Sequence, residues 1–219
     1  MESMATEAFR LQVKFWGVRG STPTPCAENL GYGGNTSCIE IRSGAGGRIV
    51  IDAGTGIRAL GREMAAHGPR DVDILLTHFH WDHIQGLPFF APLLQAGNRI
   101  HFRSFPPADE MRRMLKQQMS SPYFTLDFDA VGAERTYSQV SGGFQHDGLS
   151  VTAFALNHPQ GASGYRIEAD GASVVVATDA EHGNAALDLV LRENAAGADV
   201  LIYDAQYTPA EYAARRGWG

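Results

Sequence analysis

Thr77-His78-Phe79-His80-Trp81-Asp82-His83 follows directly on the apolar run Val72-Asp73-Ile74-Leu75-Leu76. Three of the chain's 8 histidines stand between positions 78 and 83. On this composition a His-x-His-x-Asp-His string arises by chance in roughly 6 of 10,000 such chains, so the cluster calls for a chemical reason. An extended turn leaving a strand points residues two apart to one side, which lets His78 and His80 take one metal ion together. Asp82 and His83, one step further round, face a neighbouring position. The plain alternative is a surface loop whose Phe79 and Trp81 stack among core rings. It fares worse, because crowded imidazoles repel once protonated and gain most by holding a cation.

Outward from this stretch, Val72–Leu76 reads as a short strand. Residues 9–17, 36–43 and 48–52 carry apolar or aromatic-rich runs bounded by Gly and Pro, a strand signature, with Gly44-Ala45-Gly46-Gly47 as a hairpin-like link. Ile57, Leu60 and Met64 fall at i, i+3 and i+7, which predicts a helix over 56–66, stopped by Gly68-Pro69. Further helices are expected at 107–119 and 184–195, and strands at 149–156, 163–169, 173–178 and 199–203. The pattern is an α/β layered domain, sheets packed on each other with helices outside.

Composition narrows the function. The 219 residues, 44% apolar, suit one domain with a real core, and no repeat or linker divides them. A net charge of −6 supplies no general field for a polyanion. No apolar run approaches the ~20 residues of a membrane span and the start lacks a leader pattern, so the chain reads as soluble and cytoplasmic. Cys26 and Cys38 are too few for a disulfide framework and read as reduced, small core residues.

Gly17-Val18-Arg19-Gly20-Ser21-Thr22-Pro23-Thr24-Pro25, then Gly33-Gly34-Asn35-Thr36-Ser37, then Asp52-Ala53-Gly54-Thr55-Gly56, then the histidine motif running into Gly86-Leu87-Pro88, stand in an order that is specific although each is weak alone. In this order the chain resembles the metallo-β-lactamase superfamily, a four-layer αβ/βα sandwich with a one- or two-metal site. It looks closest to the phosphodiesterase-like branch, with ribonuclease Z, cyclic-nucleotide phosphodiesterases and the cyclic phosphodiesterase of phosphonate breakdown. The resemblance implies that His78, His80 and His158 bind a first metal, that Asp82 and His83 bind a second, and that Asp179 bridges the two. His158 and Asp179 each sit at the end of an expected strand. Asp204 corresponds to an acidic residue that orients a downstream histidine, and the resemblance places it with Asp82 among the catalytic residues. For Asp52, holding the Gly54-Thr55-Gly56 backbone is at least as good a reading as function.

The resembling proteins continue past Gly217-Trp218-Gly219 with a catalytic histidine and a last histidine ligand. The expectation is therefore one domain over 1–219, short at its C-terminus by about 50 residues, comparable to a last βα unit with its following strand and helix. The N and O donors suit two divalent ions, Zn²⁺ or Mn²⁺ first and Fe next. The implied activity is hydrolysis of a small phosphodiester such as a cyclic nucleotide, with Asp82 steering water. Arg19, Ser21 or Thr22 could meet the phosphate, or Gly17, Gly20 and the prolines could merely shape a turn, two readings of equal weight. Arg112, Arg113 and Lys116 either overhang the site as a lid or form a solvated face. Nucleic acid is the less favoured partner, no membrane partner is expected, and relatives often form homodimers. The competing readings are a thioester or lactam hydrolase, an iron oxidoreductase of the same fold, and a non-catalytic metal-binding protein with an incomplete second site.

Overall fold

The computed structural model describes residues 9–68 and 70–218; Met1 to Ala8, read above for a leader, Pro69 of the expected helix stop and Gly219 lie outside them. Two sheets form. The first takes β1 (Leu11–Gly17), β2 (Cys38–Ser43), β3 (Arg48–Ile51), β4 (Asp71–Leu75), β5 (Arg99–Ser104) and β6 (Glu134–Gln139) in that order. The second takes β7 (Gly143–His146), β8 (Leu149–Leu156), β9 (Ala162–Ala169), β10 (Ala172–Ala177) and β11 (Val200–Tyr203), again in sequence order. Hairpins make the antiparallel pairs, whereas β3 to β6 and the pair β10 and β11 run parallel and need crossovers. The crossovers hold α1 (Ile57–Ala65), then α2 (Trp81–Ile84) and α3 (Ala91–Leu94), then α4 (Ala108–Gln118), and in the second sheet α5 (Ala185–Ala195); α6 (Pro209–Tyr212) follows β11.

The apolar strands are buried on both faces, which explains why Val174-Val175-Val176 shows no polar alternation. Ile49, Ile51, Val151, Ile167, Val174 and Val176 meet between the sheets. Val50, Ile74 and Phe102 face the other way, onto Leu60 and Met64 of α1 and Met111 and Leu115 of α4. Phe154, Val175 and Ala177 pack towards α5. Each fully buried Ile, Leu, Val or Phe contributes about 1.5–3 kcal/mol, so three such interfaces make the four layers one cooperative body. The expected αβ/βα sandwich is what forms. Among the described residues no helix is long and apolar enough to cross a membrane.

β5 and β6 were not expected, because their inner faces are polar. Arg103 Nε lies 2.6 Å from Asp73 and over the Phe144 ring, and His101 Nε2 is 3.0 Å from Ser138 Oγ. The reading of both cysteines as core residues holds only for Cys38; Cys26 is exposed, on the long loop between β1 and β2 rather than on a strand packed into the core. The helix α4 buries Met111 and Leu115, and Arg112 and Lys116 pair with Asp129. Two of the three basic side chains proposed for a lid are thus committed to a loop carboxylate.

Candidate metal centre

Each histidine and aspartate singled out from the sequence sits just beyond the carboxyl end of a strand: Asp52 after β3, the 77–83 stretch after β4, His158 after β8, Asp179 after β10 and Asp204 after β11. The two sheets bring these ends together at one edge of the sandwich. Tyr165 Oη donates to the Leu76 carbonyl at 2.8 Å and Ser163 N–H to that of Thr77 at 2.8 Å, so β9 clamps the start of the histidine turn from the opposite sheet.

Ligand atoms of His78, His80 and His158 lie within 4.8 Å of one another, and so do those of His78, His83 and Asp179. His80 Nδ1 and His158 Nε2 are 3.0 Å apart. Asp179 Oδ2 is 3.0 Å and Asp82 Oδ2 3.4 Å from His83 Nε2. The residues that the resemblance groups on a first and a second ion therefore do adjoin, with His78 common to both sets.

The surrounding bonds settle which nitrogen faces inward. Thr77 Oγ1 lies 2.9 Å from Asp52 Oδ1 and 3.0 Å from His78 Nδ1. Its one proton goes to the carboxylate, so it accepts from His78 Nδ1–H. His78 Nε2 is left buried and without a partner, which is what a metal ligand looks like when only protein atoms are counted. Burial first, and then the imidazoles of His83, His158 and His80, push the His78 pKa down to about 2, so the ring is neutral and its lone pair available. The donor set thus fits a divalent cation.

Asp52 proves to be far more than a turn former. It is fully buried, accepts the Thr77 N–H at 2.8 Å and the Ser37 hydroxyl at 3.1 Å, and holds His83 Nδ1 at 2.7 Å. That last bond turns His83 Nε2 towards Asp179 and Asp82. Burial opposes a charge on His83, but Asp52, Asp179 and Asp82 outweigh it and hold the imidazolium well above its ordinary pKa. The same contacts, against the cost of burial, hold Asp179 and Asp82 below the usual carboxylate range. Asp82 also accepts the Ser21 N–H at 2.8 Å. The logic applied to Asp179, a carboxylate closing an apolar strand before a turn, would have found Asp52 as well.

Six described non-glycine residues have positive φ, and four of them, Ser21, Asp52, Gln160 and Asp179, touch this cluster. A left-handed backbone costs Ser21 and Gln160 roughly 1–2 kcal/mol, aspartate tolerating it better, and retained strain of this kind concentrates at functional sites. Gly54 and Gly86 allow the close approach beneath: a Cβ on Gly86 would stand 2.0 Å from the Gly54 carbonyl oxygen, and one on Gly54 2.3 Å from that of Asp82. Gly86→Ala should therefore destabilise the fold by about 3 kcal/mol, measured as a lower urea midpoint; an unchanged midpoint would refute the close-packing account.

A cleft of about 410 Å³ opens beside the cluster, lined among others by Ser21, His83, Asp179, Tyr203, Asp204 and Trp218. Asp204 accepts from Gln206 N–H at 2.7 Å, and burial, then the Asp179 charge, raises its pKa. Arg19 also lines the cleft; its guanidinium donates to the carbonyls of Gly33 at 2.8 Å and Asn29 at 3.4 Å, so it braces the 29–33 loop while keeping its charge and its remaining N–H groups.

A four-layer αβ/βα sandwich with an imidazole and carboxylate cluster at the carboxyl ends of its strands is the architecture of the metallo-β-lactamase fold. The chain belongs to the beta-lactamase superfamily: residues 47–219 match the family model described as the Beta-lactamase superfamily domain. A ribonuclease Z of Prochlorococcus marinus subsp. pastoris is 31% identical over 137 residues, 60% of this chain and 43% of that protein. The chain thus spans less than half the length of this curated relative. Among solved structures, human tRNase Z, short form, superposes with a TM-score of 0.63 at 18% identity over 92% of this chain and 81% of that one. A diphosphatase from the PhnP family gives 0.63 at 20% identity over 88% and 73%. At these identities the structures establish the fold.

Proposed function

We propose that the chain carries the centre of a metal-dependent phosphodiesterase. The observation that carries this reading is the pair of adjoining donor sets that share His78. His78, His80 and His158 would hold one divalent ion, His83 and Asp82 a second, and Asp179 both, with Zn²⁺ or Mn²⁺ suiting the N and O donors and Fe next. Such ions supply a water of lowered pKa and neutralise the oxygens of a phosphodiester. The chain's own part is positioning. Ser21 N–H fixes one oxygen of Asp82, which is placed to orient the attacking water. Asp204, beyond Asp179 in the cleft, keeps a proton to higher pH than an exposed carboxylate.

A small diester such as a cyclic nucleotide is the favoured substrate. The net charge of −6 and the pairing of Arg112 and Lys116 with Asp129 support this. The ribonuclease Z relatives favour RNA as the second reading. The test is hydrolysis of bis(p-nitrophenyl) phosphate by the purified chain with added Mn²⁺ or Zn²⁺, with Asp82→Ala as control. Metal-dependent turnover lost in Asp82→Ala supports the proposal, and turnover that ignores both metal and Asp82 refutes it. A cyclic nucleotide against a transfer-RNA precursor then separates the two substrates.

Metal uptake must displace the His83 proton, so Zn²⁺ affinity should rise with pH between 6 and 8, by up to about tenfold per unit for one proton released. In the metal-free chain the His83 contribution to stability is fully present below about pH 6.5 and lost as pH rises through its raised value. The Asp82 and Asp179 contribution is present above about pH 4 and lost as pH falls through their lowered values. A pH-independent Zn²⁺ affinity would contradict the protonated His83.

A further inference from the structure

His158, Pro159, Gln160 and Gly161 form a tight turn closed by the Gly161 N–H on the His158 carbonyl at 2.9 Å. Pro159 at the first central position suits type I and type II turns alike, and the positive φ of the second central residue makes this one type II-like, where glycine is the ordinary occupant. Gln160 holds that position instead, at φ 63°. The other positive-φ polar residues away from the site, Asp147 and Asp170, are of a type that tolerates this conformation; glutamine is not. A residue placed against its local preference points to its side chain as the reason.

That side chain reaches across 80 positions to His80. Gln160 Oε1 lies 2.8 Å from His80 Nε2. An amide oxygen only accepts, so Nε2 carries the ring proton, and the lone pair of the neutral ring is on Nδ1, the atom 3.0 Å from His158 Nε2. We infer that Gln160 is a positioning residue of the metal centre: it fixes His80 in the tautomer that presents Nδ1 beside His158. Its turn begins at His158, so one four-residue segment supplies one imidazole and orients another. The inference rests on reading His78, His80 and His158 as ligands of one ion.

The test is Zn²⁺ affinity by chelator competition for the unaltered chain, Gln160→Gly and Gln160→Glu, together with the ¹⁵N–¹H tautomer signature of His80 in the metal-free protein. Gln160→Gly suits the turn better than glutamine, so its thermal midpoint should hold or rise. Its Zn²⁺ affinity should nevertheless fall about 10–100-fold, the usual effect of losing a partner that orients a ligand. Its His80 signature should shift from pure Nε2–H to a mixture. Gln160→Glu keeps an acceptor and should stay within about threefold of the unaltered chain. If the unaltered chain binds Zn²⁺ and Gln160→Gly binds it equally well, the positioning role is overturned while the metal centre stands. If the unaltered chain binds no Zn²⁺, the metal-centre reading falls and this inference with it. A His80 proton on Nδ1 in the unaltered chain also overturns it.

Discussion

Asp179→Asn is expected to cut metal-dependent phosphodiester turnover on the order of 10³-fold, the several kcal/mol of barrier that metal-assisted stabilisation supplies. Asparagine keeps the shape of the side chain and tolerates the left-handed φ of 56° at this position, so the fold should be undisturbed. What is lost is the negative charge beside both His78 and His83, the one carboxylate grouped with both. Metal content per chain should fall with the rate, and the metal-free thermal midpoint should move by no more than a few degrees. Full turnover with unchanged metal content would remove Asp179 from the centre. A collapse of the fold would instead assign it a structural part.

The second large effect concerns stability. Asp52→Ala removes the acceptor of four buried contacts at once, from Ser37, the backbone and hydroxyl of Thr77, and His83. Breaking a buried, hydrogen-bonded ion pair costs about 3–5 kcal/mol, because the partner charge stays behind in a dry site. At roughly 2–4 °C per kcal/mol for a domain of this size, the metal-free chain should melt on the order of 10 °C lower, read by circular dichroism. Asp52→Asn should cost less, since its carbonyl still accepts from Thr77. An Asp52→Ala chain as stable as the original would mean that water replaces the carboxylate, contrary to its full burial.

Much of the fold was legible because apolar periodicity is local. The helices expected at 56–66, 107–119 and 184–195 form as Ile57–Ala65, Ala108–Gln118 and Ala185–Ala195, and the strand expected at 149–156 forms with those bounds. β5 and β6 escaped because their inner faces carry His101, Arg103, Thr136 and Ser138, which neighbouring strands satisfy through hydrogen bonds and an ion pair. β5 does bury Ile100 and Phe102 on its other face, but two alternating apolar residues beside a polar face make too short a signal to announce a strand. The bracing part of Arg19 was hidden for a similar reason, since the carbonyls that accept from it lie in a loop 10 to 14 positions away.

By itself the sequence determined the chemistry available: a His-x-His-x-Asp-His turn behind an apolar strand, with His158, Asp179 and Asp204 following further strand ends. Only the tertiary structure decided which nitrogen of each ring is free and which carboxylate faces which ring. Those choices rest on partners far apart in the chain, Asp52 with His83 across 31 positions, Ser21 with Asp82 across 61 and Gln160 with His80 across 80. A hydrogen bond fixes a tautomer only when both groups are held within about 3 Å, and that proximity comes from the pairing of β3 with β4 for Asp52 and His83, and from packing one sheet on the other for Gln160 and His80, rather than from any local run of residues.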